Sequence, residues 1–223
     1  MAQDLFTPQT LRMLTTALEQ VGESEVQRAL QAVIEKCPPG QSSLDGKIVA
    51  QYDGVRFTQA NLDETLLYNG QRLRRHSYGG GWVPADQNRD DPGSPYVADT
   101  VYVGPFAMVL DDARLEDHVR VTDLARVIGA ARLFGNAHIL QHALVSDKVL
   151  VAGRAKVGGT ARLFGQAAVY DLSLVEGYAR VGDTARLSGH AWVHGTAEVG
   201  GTARLSGIFD VSSGSLMSGD HIK

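Results

Sequence analysis

The chain has 223 residues, 43% of them hydrophobic and 21% charged, with a formal net charge of −4. That is the make-up of one sizeable domain, or of a domain with a smaller companion. Residues 1–94 carry 9 Lys/Arg against 12 Asp/Glu and residues 95–223 carry 12 against 13, so no basic patch of the kind that binds nucleic acid stands out.

No stretch approaches the roughly 18–20 apolar residues that span a bilayer, so no membrane partner is expected. The opening "MAQDLFTPQTLR" lacks the basic start and apolar core of a secretory signal. A single cysteine, Cys37, leaves no internal disulfide and suits a reducing compartment. The expected location is the cytoplasm.

"TPQTLRMLTTALEQVG" places Thr7 at an N-cap, Pro8 at the first helical position, and Leu11, Leu14 and Leu18 on one face. "SEVQRALQAVIEK" repeats the pattern behind Ser24 until Pro38, Pro39 and Gly40 stop it. Residues 1–37 therefore read as a helical hairpin. Residues 38–94 read as a small capping segment. Within it "GKIVAQYDGVRFTQ" forms a strand pair turning at Asp53-Gly54, and Tyr78 to Pro95 is turn-rich and irregular. "SYGGGWVP" lacks the Lys-Ser/Thr and the helix start of a phosphate-binding loop. It reads as part of the cap, anchored by Trp82 on the first coil.

From Pro95 the chain falls into a six-residue register. The third position is aliphatic (or Met) twenty-one times without a miss, from Val97, Val103 and Val109 through Leu205, Val211 and Met217. Two residues earlier the side chain is mostly alanine. The fifth position is Gly eleven times and Asp seven times. Residues two apart share a strand face, so the small and the aliphatic residue both point inward. Gly or Asp supplies the backbone freedom of a sharp corner. Short strands with a corner every six residues describe a mainly β, parallel coil stacked on itself over residues 95–223, in about seven coils. Phe209 stands where alanine is usual and is expected, with Met217, to plug the far end.

The spacing of Val127 to Ala131, Leu163 to Ala167 and Leu187 to Ala191 resembles that of hexapeptide-repeat proteins. The resemblance implies a left-handed parallel β-helix with three hexads per coil. "GGGWVPADQN" at 79–88 is similar to the Gly-Gly-Trp lead-in of hexapeptide proteins from bacteriophages and enterobacterial genomes, a group often labelled transferases without a stated reaction. That implies a phage or prophage setting.

Many hexapeptide proteins are acyltransferases, with a histidine base near a subunit interface and beside an inserted loop. By that resemblance His118, His142 and His190, all at corners, are the candidate bases and acyl-coenzyme A the implied cofactor. His138 and His194 point outward from strands. The register holds no inserted loop, so no catalytic residue is assigned. "HILQH" at 138–142 raises the two-subunit metal site of gamma-class carbonic anhydrases, but its histidines lie at opposite ends of one hexad and no metal is expected.

Outward positions carry more information. One side bears Met108, Leu110, Ile128, Leu144 and Phe164, interspersed with Arg126, Arg162 and Arg180; a second bears Tyr96, Phe134, Leu150 and Tyr170, with Arg114, Arg132, Arg186 and Arg204. Clustered exposed apolar residues mark an interface. The expected function is a non-enzymatic scaffold that assembles as a dimer or trimer and meets a protein partner through its N-terminal region.

Overall fold

The structure, a computed structural model, describes residues 48–222; the helical hairpin expected over residues 1–37 lies outside them. The described chain is mainly β, a parallel β-solenoid of about seven coils. From Tyr96 onward two-residue strands recur at the expected interval, and strands three apart pair in parallel. Val121 lies beside Ile139, Val127 beside Val145 and Leu133 beside Val151. The strands stack into sheets of ten, eight and seven strands. Side one contains the rung at Met108, side two the rung at Tyr96 and side three the rung at Tyr102.

The core follows from the alternation. All aliphatics of the third position from Val97 to Leu205 are at most 2% exposed, and the alanines two residues before them are equally buried. A small and a branched residue on each side fill a narrow prism with little room for relaxation. The final two positions depart from the expectation. Val211 is half-buried and Met217 is 45% exposed. The chain contracts in "SSGS", so Val199 pairs with Leu216 rather than Met217. The inward seat passes to Leu216, and Phe209, Val211 and Leu216 pack against the core. Phe209 lies edge-on to His221, centroids 6.0 Å apart.

Asp at the corners does more than tolerate a left-handed backbone. Asp111, Asp117, Asp147, Asp171 and Asp183 all have φ between 54° and 60°. Their carboxylates accept the backbone N–H of Gly129, Gly135, Gly165, Gly189 and Gly201, one coil further on, at 2.7–2.9 Å. Asp123 does the same for Gln141, whose side-chain oxygen accepts from Gly159. Each bond satisfies a corner donor and offsets the cost of the left-handed conformation.

The cap begins with β1 (Ile48–Tyr52) and β2 (Val55–Thr58), antiparallel and joined through Asp53-Gly54, both at positive φ. A short helix α1 (Gln59–Leu62), capped by Thr58, leads into β3 (Thr65–Tyr68) and β4 (Gln71–Arg75). β5 (Trp82–Pro84) pairs antiparallel with β4 and parallel with the rung at Met108. The antiparallel meander thus covers the first edge of side one, which would otherwise expose unpaired backbone.

Trp82 is not the residue that packs on the core. Val83 is fully buried there, and strand alternation turns Trp82 outward, beneath the Arg75 guanidinium at 3.9 Å. The glycines before it are a steric requirement. A Cβ at Gly79 would collide with the Val103 carbonyl, at Gly80 with the Phe57 ring, and at Gly81 with the Gly104 carbonyl. On side three Tyr52, Phe57, Tyr78 and Tyr102 interlock, Tyr78 and Tyr102 edge-on at 5.1 Å. The irregular stretch 88–94 is gathered by Arg114, which donates to the carbonyls of Asn88, Arg89, Asp91 and Ser94.

Candidate interaction surface

The solenoid separates its charges. Carboxylates concentrate at the corners, where the backbone occupies most of them, whereas strand positions that face outward favour guanidiniums. On side one the column one coil apart reads Met108, Arg126, Leu144, Arg162, Arg180 and then Glu198. A net charge of −4 for the whole chain therefore conceals a basic and apolar face.

Three adjoining grooves cross side one and its rim. The first, about 400 Å3, lies between Leu66, Trp82, Phe106, Met108 and Leu124. The second, about 210 Å3, is bounded by Tyr68, Gln71, Leu110, Arg126, Ile128 and Leu144. The third, about 400 Å3, lies between Leu124, Arg126, His142, Leu144, Thr160 and Arg162. Leu124 borders the first and third, Arg126 and Leu144 the second and third, and Tyr68 the first and second. They form one surface.

The expected interface residues divide. Met108, Leu110, Ile128 and Leu144 come together around the grooves, but Leu110 is only 7% exposed. The turn between β3 and β4 folds over it, held by Gln71, whose side chain donates to the Asp111 carbonyl at 2.9 Å and accepts from the Asp111 N–H at 2.8 Å. Leu110 is thus a floor and not an exposed contact. Phe164 lies one coil further, over Gly182, where a Cβ would meet its ring. The Arg180 guanidinium covers it at 5.4 Å. Phe134 and Tyr170 lie apart from these on side two. Phe106 and Leu124, 59% and 52% exposed, were missed because corner positions read as turn residues.

Arg126 and Arg162 make no ion pair or side-chain hydrogen bond among the described residues. Arg180 approaches Glu198 at 3.9 Å, and Arg114 approaches Glu116 at 3.7 Å. On side one the long stems of Arg126, Arg162 and Arg180 lie along apolar surface while their guanidiniums stay in water, whereas the Arg114 guanidinium is buried among the carbonyls it bonds.

The histidines do not converge. His118, His142 and His190 are exposed on corners, and none makes a side-chain hydrogen bond among the described residues. His142 borders a groove with two guanidiniums, and His118 borders another of about 400 Å3 beside Arg89, Asp99, Glu116 and Asp117. His138 is half-buried, Nε2 lying 3.2 Å from the Thr122 hydroxyl. Burial, then Arg120 and Lys156 on the flanking rungs, lowers its pKa. His194 pairs with Asp210 at 2.8 Å and stacks on Trp192 at 4.1 Å. Among the described residues no group of three or more His, Cys, Asp or Glu side chains is placed to hold a metal ion.

Two histidines carry no signal in the sequence, His76 and, beside Phe209, His221. His76 is fully buried beneath the cap. Its Nε2 lies 2.9 Å from the Val101 carbonyl, so that nitrogen carries the proton, and Nδ1 has no partner among the described residues. Burial holds its pKa below the usual value. Nothing in "RRHSYGGG" signals this; it results from the glycine-lined approach of the cap to the first coil.

No family model matches the chain, and no curated protein and no solved structure matches it either.

Proposed function

We propose that this protein is a non-enzymatic scaffold that assembles with itself, as a dimer or trimer, and holds another protein against side one. The supporting observation is the continuous grooved surface of side one, apolar in its floor and rim, on a coil whose strands recur without an inserted loop from Tyr96 to Val211. Grouped exposed apolar area of this kind favours association. Phe134, Leu150 and Tyr170 on side two are assigned to contact between copies. The hexapeptide resemblance, with its left-handed coil, and the lead-in at Gly79–Trp82 favour a phage or prophage setting, and the single Cys37 favours the cytoplasm.

The test is the native mass of the full chain. Phe134→Glu with Tyr170→Glu should reduce the assembly to single chains, whereas Ile128→Glu with Phe164→Glu should leave it whole and abolish partner binding. A wild-type chain that is monomeric, or an assembly that fails only with the second pair, removes this division of the two sides.

A second reading is an acyltransferase using acyl-coenzyme A between subunits. It rests on His142 standing beside Arg126 and Arg162 in one groove of about 400 Å3, an imidazole base next to two groups that pair with phosphate. A catalytic base is normally oriented by a further group, and His142 has none among the described residues. The scaffold reading is therefore preferred.

A further inference from the structure

Resting on the scaffold reading of side one, we propose that the partner element seated there is an amphipathic α-helix carrying acidic residues and lying parallel to the solenoid axis. Three features of the face lead to it.

The first is pitch. The outward column Met108, Arg126, Leu144, Arg162 and Arg180 advances one rung per coil, about 4.8 Å each time. An α-helix advances about 5.4 Å per turn. A helix laid along the axis therefore presents one turn to each rung, and over these five rungs the two repeats drift apart by only about 2–3 Å. Flexible arginine and methionine side chains absorb that drift.

The second is the exclusion of a strand. Every rung of this column is already paired on both edges, so no backbone groups remain on the face for an added strand. An extended segment along the axis would repeat its face about every 6.7 Å and fall out of step with the rungs at once. A helix crossing the side at right angles, about 10 Å wide, would cover about two rungs and leave the rest of the column unoccupied.

The third is charge. Arg126 and Arg162 are exposed and without a carboxylate partner among the described residues, and Leu144 lies between them in the column. The complementary helix carries Asp or Glu at two positions about seven residues apart, with an apolar residue three or four after the first. That apolar residue meets Leu144, with Leu124 on one rim and Ile128 on the other. Met108 adds a further apolar seat. No carboxylate occupies the outward column before Glu198, and the one carboxylate bordering the second groove, Asp111, is engaged by the Gly129 N–H. The turn between β3 and β4 walls the groove at the Tyr68 end and sets where the helix must stop.

The experiment is selection from a displayed library of single helices of about 21 residues, randomised on one face, against the full chain. Winners should carry two acids about seven apart with an apolar residue between, be helical when bound, and bind saturably as synthetic peptides. Arg126→Glu with Arg162→Glu should weaken a winner at least tenfold, and replacing its two acids by Lys should restore binding to that variant. Winners without acids, winners indifferent to both arginines, or peptides bound in extended form would overturn the proposal. So would a native mass that falls on changing these arginines, since side one would then be occupied by a second copy. If winners ignore the arginines yet lose binding with Ile128→Glu and Leu144→Glu, the scaffold reading stands and the acidic helix falls. If no winner depends on side one, both fall.

Discussion

Replacing Asp147 separates the two contributions of an acidic corner. Its backbone is at φ 59°, and its carboxylate accepts the Gly165 N–H at 2.8 Å. Asp147→Ala adds no atoms, so no clash confuses the result. It removes a hydrogen bond worth about 1 kcal/mol at a solvent-exposed corner, and it puts Ala in a left-handed conformation that Asp tolerates better, out of a full cost of about 1–2 kcal/mol that the wild type already partly bears. The expected loss is about 1–2 kcal/mol. Asp147→Gly loses the same hydrogen bond but escapes the steric cost, at the expense of about 0.5–1 kcal/mol of chain entropy. It should therefore be more stable than the alanine variant by about 1 kcal/mol. Asp147→Asn keeps an acceptor and should lie nearest the wild type. Because solenoids unfold by neighbouring repeats, hydrogen exchange is a better assay than a single melting point. The Gly165 amide should lose protection in the Ala and Gly variants and keep it with Asn. Equal stability of Ala and Gly, or a Gly165 amide still protected in both, would refute the corner argument.

Val157→Asp puts an unpaired charge into the prism and should unfold or aggregate the protein, since such a charge costs several kcal/mol; a soluble product with unchanged circular dichroism would contradict the packing. At the far end Leu216→Glu should loosen the last coil, whereas Met217→Glu should be nearly neutral, as proteolysis of that end would report; the reverse order would restore the uncontracted register. His76 titrates in the opposite sense to a histidine that gains a partner. Its folded pKa is lowered by burial, then Arg74, against Val101 and Asp99, so the unfolded chain binds the proton more readily. Stability is full above about pH 6.5 and falls as the pH drops below it. Urea midpoints measured from pH 8 to 5 should decline, and decline less in His76→Gln; a rise on acidification would contradict the assignment.

The regular part of the fold was legible because its signal is strictly periodic. Inward Val127, Leu133 and Ile139 and their outward neighbours follow from counting. Corner freedom at Asp147 was legible too, but its bond to Gly165 was not, since that partner lies one full coil away. At the end of the solenoid both Leu216 and Met217 can fill an inward seat, so a one-residue contraction leaves the pattern intact. Trp82 and Val83 posed the same ambiguity: a short strand offers two adjacent residues, and size suggested the wrong one. That Met108, Ile128, Leu144 and Phe164 share one side follows from counting, yet the cover over Leu110 depends on Gln71 reaching Asp111 across forty residues. Corner residues Phe106 and Leu124 escaped because turn positions carry no expectation of apolar contact. The burial of His76 is tertiary from the outset.

The central claim is that the exposed surface binds protein and that no acyl chemistry takes place on it. Equilibrium titration of acetyl-coenzyme A into the full chain, beside His142→Ala, tests this most directly. The account predicts no saturable binding by either protein up to millimolar ligand. Saturable binding by the wild type that His142→Ala abolishes would contradict it.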